Sequence, residues 1–226
     1  VAGLRLGLTT NTQDTEGETL TQSPVTVGRE ELEAVLPRFT GEISQIPPMF
    51  SAIKINGQKL YDLARQGKEV ERKARAVTIF ALEVVEQVSE TDYILRIRCS
   101  KGTYVRTLCH DIGMTLGCGG CLSSLRRTMA GRFSLEDCVT LEQVQAAREQ
   151  GNLAEVVRPG DSLFREVPAL TLEERWTVRC KNGGEIPMPT AEEGPYRVYG
   201  PGGDFLMLGQ VRQGTLRTVK SFFEVK

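Results

Sequence analysis

Residues 100–106, Ser-Lys-Gly-Thr-Tyr-Val-Arg, and the run that follows them to Gly117 decide the fold expected of this chain. Alternating apolar residues at 94–97 predict a strand that leads into the stretch, and Gly102 breaks the alternation. Thr103 suits the N-cap of a helix, because its hydroxyl can accept a hydrogen bond from a free backbone N–H of the first turn. The stretch therefore predicts a strand, a tight turn and a helix in succession.

The first turn of that helix carries an aromatic ring on Tyr104 and a guanidinium on Arg106. The ring can stack on a nucleobase that has left its helix, and the planar fork can bind a carboxylate or phosphate at two points. The two residues together suit a pocket for a flipped nucleotide beside an anion. The alternative is a strand end with one solvated arginine, and these residues alone leave both interpretations open.

Periodicity elsewhere predicts a mixed α+β chain, in which 76–88 and 93–100 form a long antiparallel pair. Further strands are expected at 3–8 and 122–130. Loops are expected at 9–24, which is rich in polar turn residues, and at 41–51, which contains two adjacent prolines. Helical spacing is found in four segments, which are 29–39, 59–66, 104–116 and 141–149.

The texture of the sequence changes after a Pro- and Gly-interrupted segment between Gly151 and Leu172. Beyond it, short strand-like runs separated by glycines are expected at 182–187, 195–199, 205–209 and from Leu216 to Val225. This pattern suggests a small β-barrel. Such a barrel either binds a ligand of its own or only stabilises the larger domain.

Composition is that of an ordinary globular protein, with 40% apolar and 25% charged residues and a formal net charge of −1. No run of about 18 apolar residues occurs, which argues against a membrane span. Basic residues are clustered despite the neutral balance, in three groups: 54–75, which carries Lys54, Lys59, Arg65 and Lys68; 96–106, which carries Lys101; and 126–132, which carries Arg126 and Arg127. If the fold brings the three groups together, they would line a groove for an RNA backbone; the alternative is a solvated surface.

Six cysteines are present, and Cys118-Gly-Gly-Cys121 has the two-residue gap of redox and zinc sites. A second closely spaced ligand pair is absent from the sequence, and His110 is the only histidine. Free thiols in a reducing compartment are therefore favoured over a zinc site, and no metal is predicted. A zinc or thiol redox protein is the weaker alternative.

Several stretches together resemble the TruB-type tRNA pseudouridine synthases, over residues 2–145 and less closely in the tail. The helix beginning at Tyr104 resembles the third catalytic motif of that family. The remaining stretches are Arg5-Leu6-Gly7, 10–14 with Gly17, 45–54 (Gln-Ile-Pro-Pro-Met-Phe-Ser-Ala-Ile-Lys), Gly57, Leu60-Tyr61, 64–67, 116–119 and Leu125-Arg126-Arg127.

The resemblance implies a function and an architecture. The function is isomerisation of uridine to pseudouridine at uridine 55 in the T-arm loop of tRNA, without a cofactor or metal, by a cytoplasmic monomer. The fold is a largely antiparallel sheet flanked by helices, in a catalytic domain over 1–155 with an RNA-gripping insertion at about 46–77. A linker and a PUA-like RNA-binding barrel are expected over 156–226. The alternative is a non-catalytic tRNA-binding or RNA-folding module on the same scaffold.

The resemblance also assigns roles to single residues. Tyr104 would contact the flipped base, Arg106 would pair with a nucleophilic aspartate, and Leu125 would line the pocket wall. Asp14 would position substrate or support the turn near the pocket. RNA phosphates would be bound by Lys54, Lys59, Arg65, Lys68, Lys101, Arg126 and Arg127. The nucleophilic aspartate of the family lies in a motif upstream of the Leu6-Gly7 strand that this sequence does not contain, so the protein is expected to begin well before Val1.

Overall fold

The computed structural model describes residues 1–223 and divides into two compact units, Val1–Thr128 and a second that begins at Met129. The division into domains near residue 155 remains a prediction. The first unit mixes strands and helices, as expected. Its elements are β1 Ala2–Leu6, β2 Leu8–Thr10, β3 Thr19–Gln22, α1 Arg29–Val35, β4 Gly41–Gln45, β5 Lys54–Ile55, β6 Gln58–Lys59, α2 Leu60–Arg65, β7 Arg75–Gln87, β8 Asp92–Cys99, α3 Val105–Thr115 and β9 Gly120–Leu125.

A five-stranded antiparallel sheet in the order β4-β7-β8-β1-β9 organises this unit. The predicted pairing of the two long strands is confirmed, with Leu82 opposite Ile97 and Val84 opposite Leu95. Each buried aliphatic side chain of the core contributes roughly 1.5–3 kcal/mol on transfer from water. The largest fully buried side chains of this core include Leu4, Leu32, Ile79, Tyr93, Leu95, Leu108 and Ile112.

Helix α3 lies directly on the start of β9, because glycines allow the two backbones to approach closely. A Cβ atom at Gly113 would collide with the backbone of Gly119 and Gly120. The N–H of Gly119 donates to the carbonyl of Gly113 at 3.0 Å across the same contact. The helix is therefore fixed against the sheet by backbone packing.

Four sequence predictions need correction. The loop expected at 9–24 instead contains most of the β2–β3 hairpin, because its strands are rich in threonine, which favours extended structure. Residues 41–45 form β4, since the two prolines restrict only the chain beyond Gln45. Thr103 is not the N-cap, because its hydroxyl donates to the carbonyl of Ser100 at 2.9 Å. The strand expected at 122–130 is interrupted at 126–128.

The second unit contains a five-stranded sheet in the order β12-β14-β15-β16-β13. Its core includes Leu172, Val198, Leu206, Val211 and Leu216. The barrel itself remains a prediction, and residues 224–226, including the predicted strand end at Val225, lie outside the described residues. The elements are β10 Met129–Ala130, β11 Phe133–Ser134, α4 Leu141–Glu149, α5 Leu153–Val156, β12 Ala169–Thr171, α6 Glu174–Lys181, β13 Ile186–Pro187, β14 Gly194–Tyr199, β15 Phe205–Arg212 and β16 Thr215–Ser221.

None of the helices formed by residues 1–223 is long and apolar enough to cross a membrane.

Candidate active site

The start of α3 carries a dense set of hydrogen bonds to distant parts of the first unit. Gly102 has a φ of 86°, a left-handed conformation that a side chain would disfavour, and it turns the chain from β8 towards the helix. Tyr104 is the N-cap, with extended backbone angles of −95° and 103°. Arg106 consequently lies in the first helical turn, two residues from the tyrosine ring.

The guanidinium of Arg106 binds two different loops. Its Nη1 donates to the carbonyl of Thr12 at 3.2 Å and to Oδ2 of Asp14 at 3.0 Å. Its Nη2 donates to the carbonyl of Phe50 at 2.8 Å. One arginine therefore holds the 10–17 turn and the 46–53 loop against the same end of α3.

Asp14 is itself held by its own turn. Its Oδ1 accepts from the hydroxyl of Thr12 at 2.6 Å and from the N–H of Glu16 at 3.2 Å. The side chains of Asp14 and Arg106 are 22% and 26% exposed, so water screens the pair only partly. Charge-assisted hydrogen bonds in such a setting contribute roughly 1.5–3 kcal/mol each. The structure thus places Asp14 beside Arg106, a contact that the sequence did not predict, and the role of Asp14 stays a prediction.

Two further contacts fix the same turn. Gln13 adopts a left-handed φ of 64°, and its side-chain oxygen accepts from the hydroxyl of Thr107 at 2.8 Å. Its carbonyl accepts from the N–H of Leu122 on β9 at 3.0 Å. The 10–17 turn is thus bound both to α3 and to the edge of the sheet.

Gln45, the last residue of β4, binds the backbone of Tyr104 from the other side. Its Oε1 accepts from the Tyr104 N–H at 3.0 Å, and its Nε2 donates to the Tyr104 carbonyl at 3.1 Å. The side chain is 2% exposed. Both backbone polar groups of the tyrosine are therefore satisfied by one buried amide.

The predicted insertion contains a β-hairpin, β5–β6, followed directly by α2. Its basic side chains surround an open depression of about 600 Å³ that Lys54, Lys59 and Arg65 line. Lys59 donates to the Tyr61 hydroxyl at 2.7 Å, and this hydrogen bond raises the pKa of Lys59 above its ordinary value. Lys68 lies beyond the depression and donates to the side chain of Gln66 at 3.1 Å.

The other basic residues predicted to bind RNA differ in whether an acidic side chain pairs with them. Lys101, Arg126 and Arg127 are exposed, and no ion pair binds them within the described part of the chain. In contrast, Arg96 pairs with Glu83 at 2.7 Å, so part of the charge in that predicted group is neutralised on the sheet. Leu125, predicted at the pocket wall, lies at the end of β9 opposite Ala2 and is 56% exposed.

The cysteines form no metal centre in residues 1–223, where no group of three or more His, Cys, Asp or Glu side chains is placed to hold an ion. Burial raises the pKa of Cys109 to about 12, with a smaller contribution from Cys121. Burial also raises the pKa of Cys121. Both thiols are protonated at neutral pH and are poor nucleophiles.

Sequence reasoning missed Gln45, Gln13 and Thr107 as parts of this site. Gln45 stands directly before Ile-Pro-Pro, in one of the stretches that resemble the family, but its partner is 59 positions away in the chain. The adjacent prolines and the motif spacing are local signals, whereas these contacts depend on how β4 and the 10–17 turn meet α3.

Comparison with known proteins gives a consistent family. Residues 1–105 match the model for the TruB family pseudouridylate synthase N-terminal domain, and residues 106–165 match the tRNA pseudouridylate synthase B C-terminal domain. The chain is 47% identical over 213 residues to tRNA pseudouridine synthase B of Pseudomonas fluorescens (strain Pf0-1), covering 92% of this chain and 70% of that protein. It is 44% identical over 219 residues to tRNA pseudouridine synthase B of Azoarcus sp. (strain BH72), covering 96% and 71%.

Solved structures share the fold. A chain in the crystal structure of a Cbf5-Nop10-Gar1 complex matches with a TM-score of 0.66 and 21% identity, covering 99% of this chain and 66% of that one. A chain in the structure of an H/ACA RNP bound to a substrate RNA containing 2'-deoxyuridine matches with a TM-score of 0.65 and 18% identity, covering 99% and 65%. At these identities the likeness extends to the fold alone.

Proposed function

Because this chain belongs to the TruB family of pseudouridylate synthases, we propose that it receives and isomerises uridine in the T-arm loop of tRNA. The reaction breaks the bond between N1 of uracil and C1′ of the ribose, turns the base, and joins C5 to C1′, while the C5 proton leaves to solvent and N1 takes up a proton from solvent. One proton is lost and one is gained, and no oxidation state changes, so the product is an isomer of the substrate. The observation that carries the proposal is the position of Tyr104 and Arg106 at one fixed helix end.

Base flipping explains why the tyrosine is held so firmly. Extruding a base costs a few kcal/mol, which a preformed stacking surface offsets. Tyr104 stands at the N-cap with its backbone bound by Gln45, so the point from which its ring projects is fixed. We assign it contact with the flipped uracil.

Arg106 has N–H donors beyond those that bind Thr12, Asp14 and Phe50. A guanidinium has five N–H donors, and Nη1 and Nη2 make the three bonds to Thr12, Asp14 and Phe50. Its Nε makes no hydrogen bond within residues 1–223, so the edge formed by Nε and Nη2 suits a second carboxylate. We assign that place to the nucleophilic aspartate that the family resemblance implies. The arginine then keeps the nucleophile ionised and aimed at C1′.

RNA binding is assigned to the basic residues of the insertion, with the exposed Lys54, Arg65 and Lys68 and the half-buried Lys59 on phosphates of the T-arm stem-loop. Lys101, Arg126 and Arg127 extend that surface from the turn after β8 and the end of β9. Leu125 provides an apolar wall that excludes water from the sugar intermediate. The segment 156–226 serves as the linker and PUA-like RNA-binding domain, and the enzyme works as a cytoplasmic monomer.

The proposal is tested with the polypeptide that carries both these residues and the upstream aspartate motif, called here the intact enzyme. Tritium release from T-arm RNA labelled at C5 of uridine measures turnover, and the pseudouridine formed is identified by nucleoside analysis. Release that matches pseudouridine formation supports the proposal. Tight binding of the T-arm hairpin without release would instead favour a non-catalytic tRNA-binding module.

A further inference from the structure

We infer that Gln45 is a positioning residue for the proposed isomerisation, acting on the flipped base only through the backbone of Tyr104. The inference rests on the proposed function and adds a residue from a different strand to the site. Its basis is the paired contact in which one amide satisfies both the N–H and the carbonyl of Tyr104.

The chemistry of the contact requires an amide. A backbone N–H only donates and a carbonyl only accepts, so the partner must present an acceptor and a donor side by side. Glutamine and asparagine carry an oxygen acceptor and an N–H donor side by side on one planar amide at all ordinary pH values, and only glutamine keeps the reach seen here. A glutamate carboxylate would accept from the N–H, but its second oxygen would face the carbonyl oxygen, and two acceptors repel each other.

Tyr104 needs this contact because it precedes the helix. As the N-cap it has an N–H with no helical acceptor, while its carbonyl already accepts from the N–H of Leu108 at 3.1 Å. Without Gln45 the N–H would be left without a partner in a part-buried place, and the peptide would be free to rotate. The ring of Tyr104 and the first turn that carries Arg106 would change direction together.

The surroundings of Gln45 make it a rigid anchor. It is the end of β4, paired with Arg75 of β7, and it is followed by the buried Pro47 and Pro48. The chain then reaches Phe50, whose carbonyl binds Arg106. Residues 45–50 therefore hold Tyr104 through the side chain of Gln45 and Arg106 through the carbonyl of Phe50.

Three variants test the inference. Gln45→Met keeps the volume and removes both hydrogen bonds, Gln45→Glu keeps the acceptor and removes the donor, and Gln87→Met is the matched control. Gln87 also bonds a tyrosine, through the Tyr93 hydroxyl at 3.2 Å. Gln87 lies at the opposite end of β7 from Arg75, the residue that pairs with Gln45. The two ends are twelve residues apart, which is about 40 Å at 3.3 Å per residue.

In the intact enzyme, Gln45→Met is expected to lower kcat at least tenfold, about 1.4 kcal/mol, with the Kd for a T-arm hairpin within about threefold of wild type. Gln45→Glu is expected to lose as much at pH 8 and to recover part of the loss as the pH falls, because a protonated carboxyl again offers a donor. Gln87→Met should match wild type. Variants with unchanged kcat, or with a loss confined to Kd, would overturn the inference.

A second measurement separates this inference from the proposed function. Hydrogen exchange at the Tyr104 amide is followed by NMR in the 226-residue chain labelled with ¹⁵N-tyrosine, which has five tyrosines to assign. Gln45→Met should speed exchange at Tyr104 at least tenfold while the exchange of Tyr93 stays the same. If the wild-type enzyme does not turn over, the proposed function fails, and the exchange rate still decides whether Gln45 holds Tyr104. Unchanged protection would refute the positioning role.

Discussion

The start of α3 and the β5–β6–α2 insertion carry the two halves of the proposed function in opposite physical forms. At α3, Arg106 and Gln45 bind backbone groups in three separate segments. In the insertion, Lys54, Arg65 and Lys68 are exposed and are held by few contacts. The start of α3 therefore has fixed geometry and few unpaired charges. The insertion has unpaired charges whose side chains are only loosely held.

The difference reflects what each task requires. Bond rearrangement at C1′ needs groups held within a fraction of an ångström, which buried hydrogen bonds provide. Attraction of an RNA backbone depends on the number of cations and is largely indifferent to their rotamers. Substitutions in the first region should therefore change turnover, and substitutions in the second should change affinity and its dependence on salt.

Arg106→Ala is expected to have the largest effect. It removes the bonds to Thr12, Asp14 and Phe50 and the edge assigned to the nucleophile, so kcat in the intact enzyme should fall at least about 10³-fold. The Kd for a T-arm hairpin should stay within a few fold, because Arg106 is not among the exposed cations. Tritium release and filter binding on the same preparation measure both quantities.

Arg106→Lys should restore little of that turnover, because a single ammonium lacks the fork that lets Arg106 donate to the 10–17 turn and to the 46–53 loop at the same time. Arg96→Ala is the control, because it removes an arginine whose partner, Glu83, is exposed on the sheet. Unchanged turnover in Arg106→Ala would show that the start of α3 is not part of the active site.

Asp14→Asn should have the next largest effect. The amide can still accept from Thr12, but it loses the charge that faces Arg106 at 3.0 Å, so kcat should fall about tenfold to a hundredfold, or 1.4–2.8 kcal/mol. The melting temperature should fall by only a few degrees, since a part-exposed ion pair contributes modestly to stability. A drop in affinity with constant kcat would instead assign Asp14 to RNA contact.

The double variant Lys54→Gln/Lys59→Gln tests the other side of the comparison. Loss of two phosphate contacts should weaken T-arm binding about tenfold at moderate salt and reduce the slope of log K against log salt by roughly 1.5. kcat at saturating RNA should be unchanged. Arg38→Gln, an exposed cation elsewhere in the first unit, is the control. A slope equal to that of wild type would place the RNA on another face.

The elements most securely predicted from sequence are those with strong local patterns. The long β7–β8 pair follows from alternation over more than twenty residues, and α4 at 141–149 matches its predicted bounds. Short polar strands such as β3, whose four residues are all exposed, have no apolar face to signal them. Their pairing is set by the neighbouring strand.

The site could be predicted only in part for the same reason. Tyr104 and Arg106 lie two positions apart on a helix start, so sequence brings them together directly. The contacts of Arg106 with Asp14 and Phe50 span 92 and 56 positions, and they exist only because the sheet order places both loops at α3. Family resemblance pointed to the arginine, and the fold shows which backbone groups it holds.

The reactivity of the buried thiol on α3, which takes no part in the proposed reaction, gives a direct measure of how rigid that region is. Cys109 is buried on α3 with a pKa of about 12, whereas Cys138 in the second unit is exposed. At pH 8, a disulfide reagent should modify Cys138 within minutes. Cys109 should react at least about 10³-fold more slowly, since the thiolate is scarce and the helix must open first.

Peptide mapping after timed quenching locates the modified thiols, and denatured protein, in which all six react, sets the reference. Chelator should alter neither the rate nor the affinity for RNA. Arg106→Ala should speed modification of Cys109, because α3 then loses its ties to the 10–17 turn and the 46–53 loop. Equal rates in the variant and wild type would mean that packing of Gly113 on β9 alone keeps α3 closed, and that the hydrogen bonds of Arg106 serve only to aim the side chain.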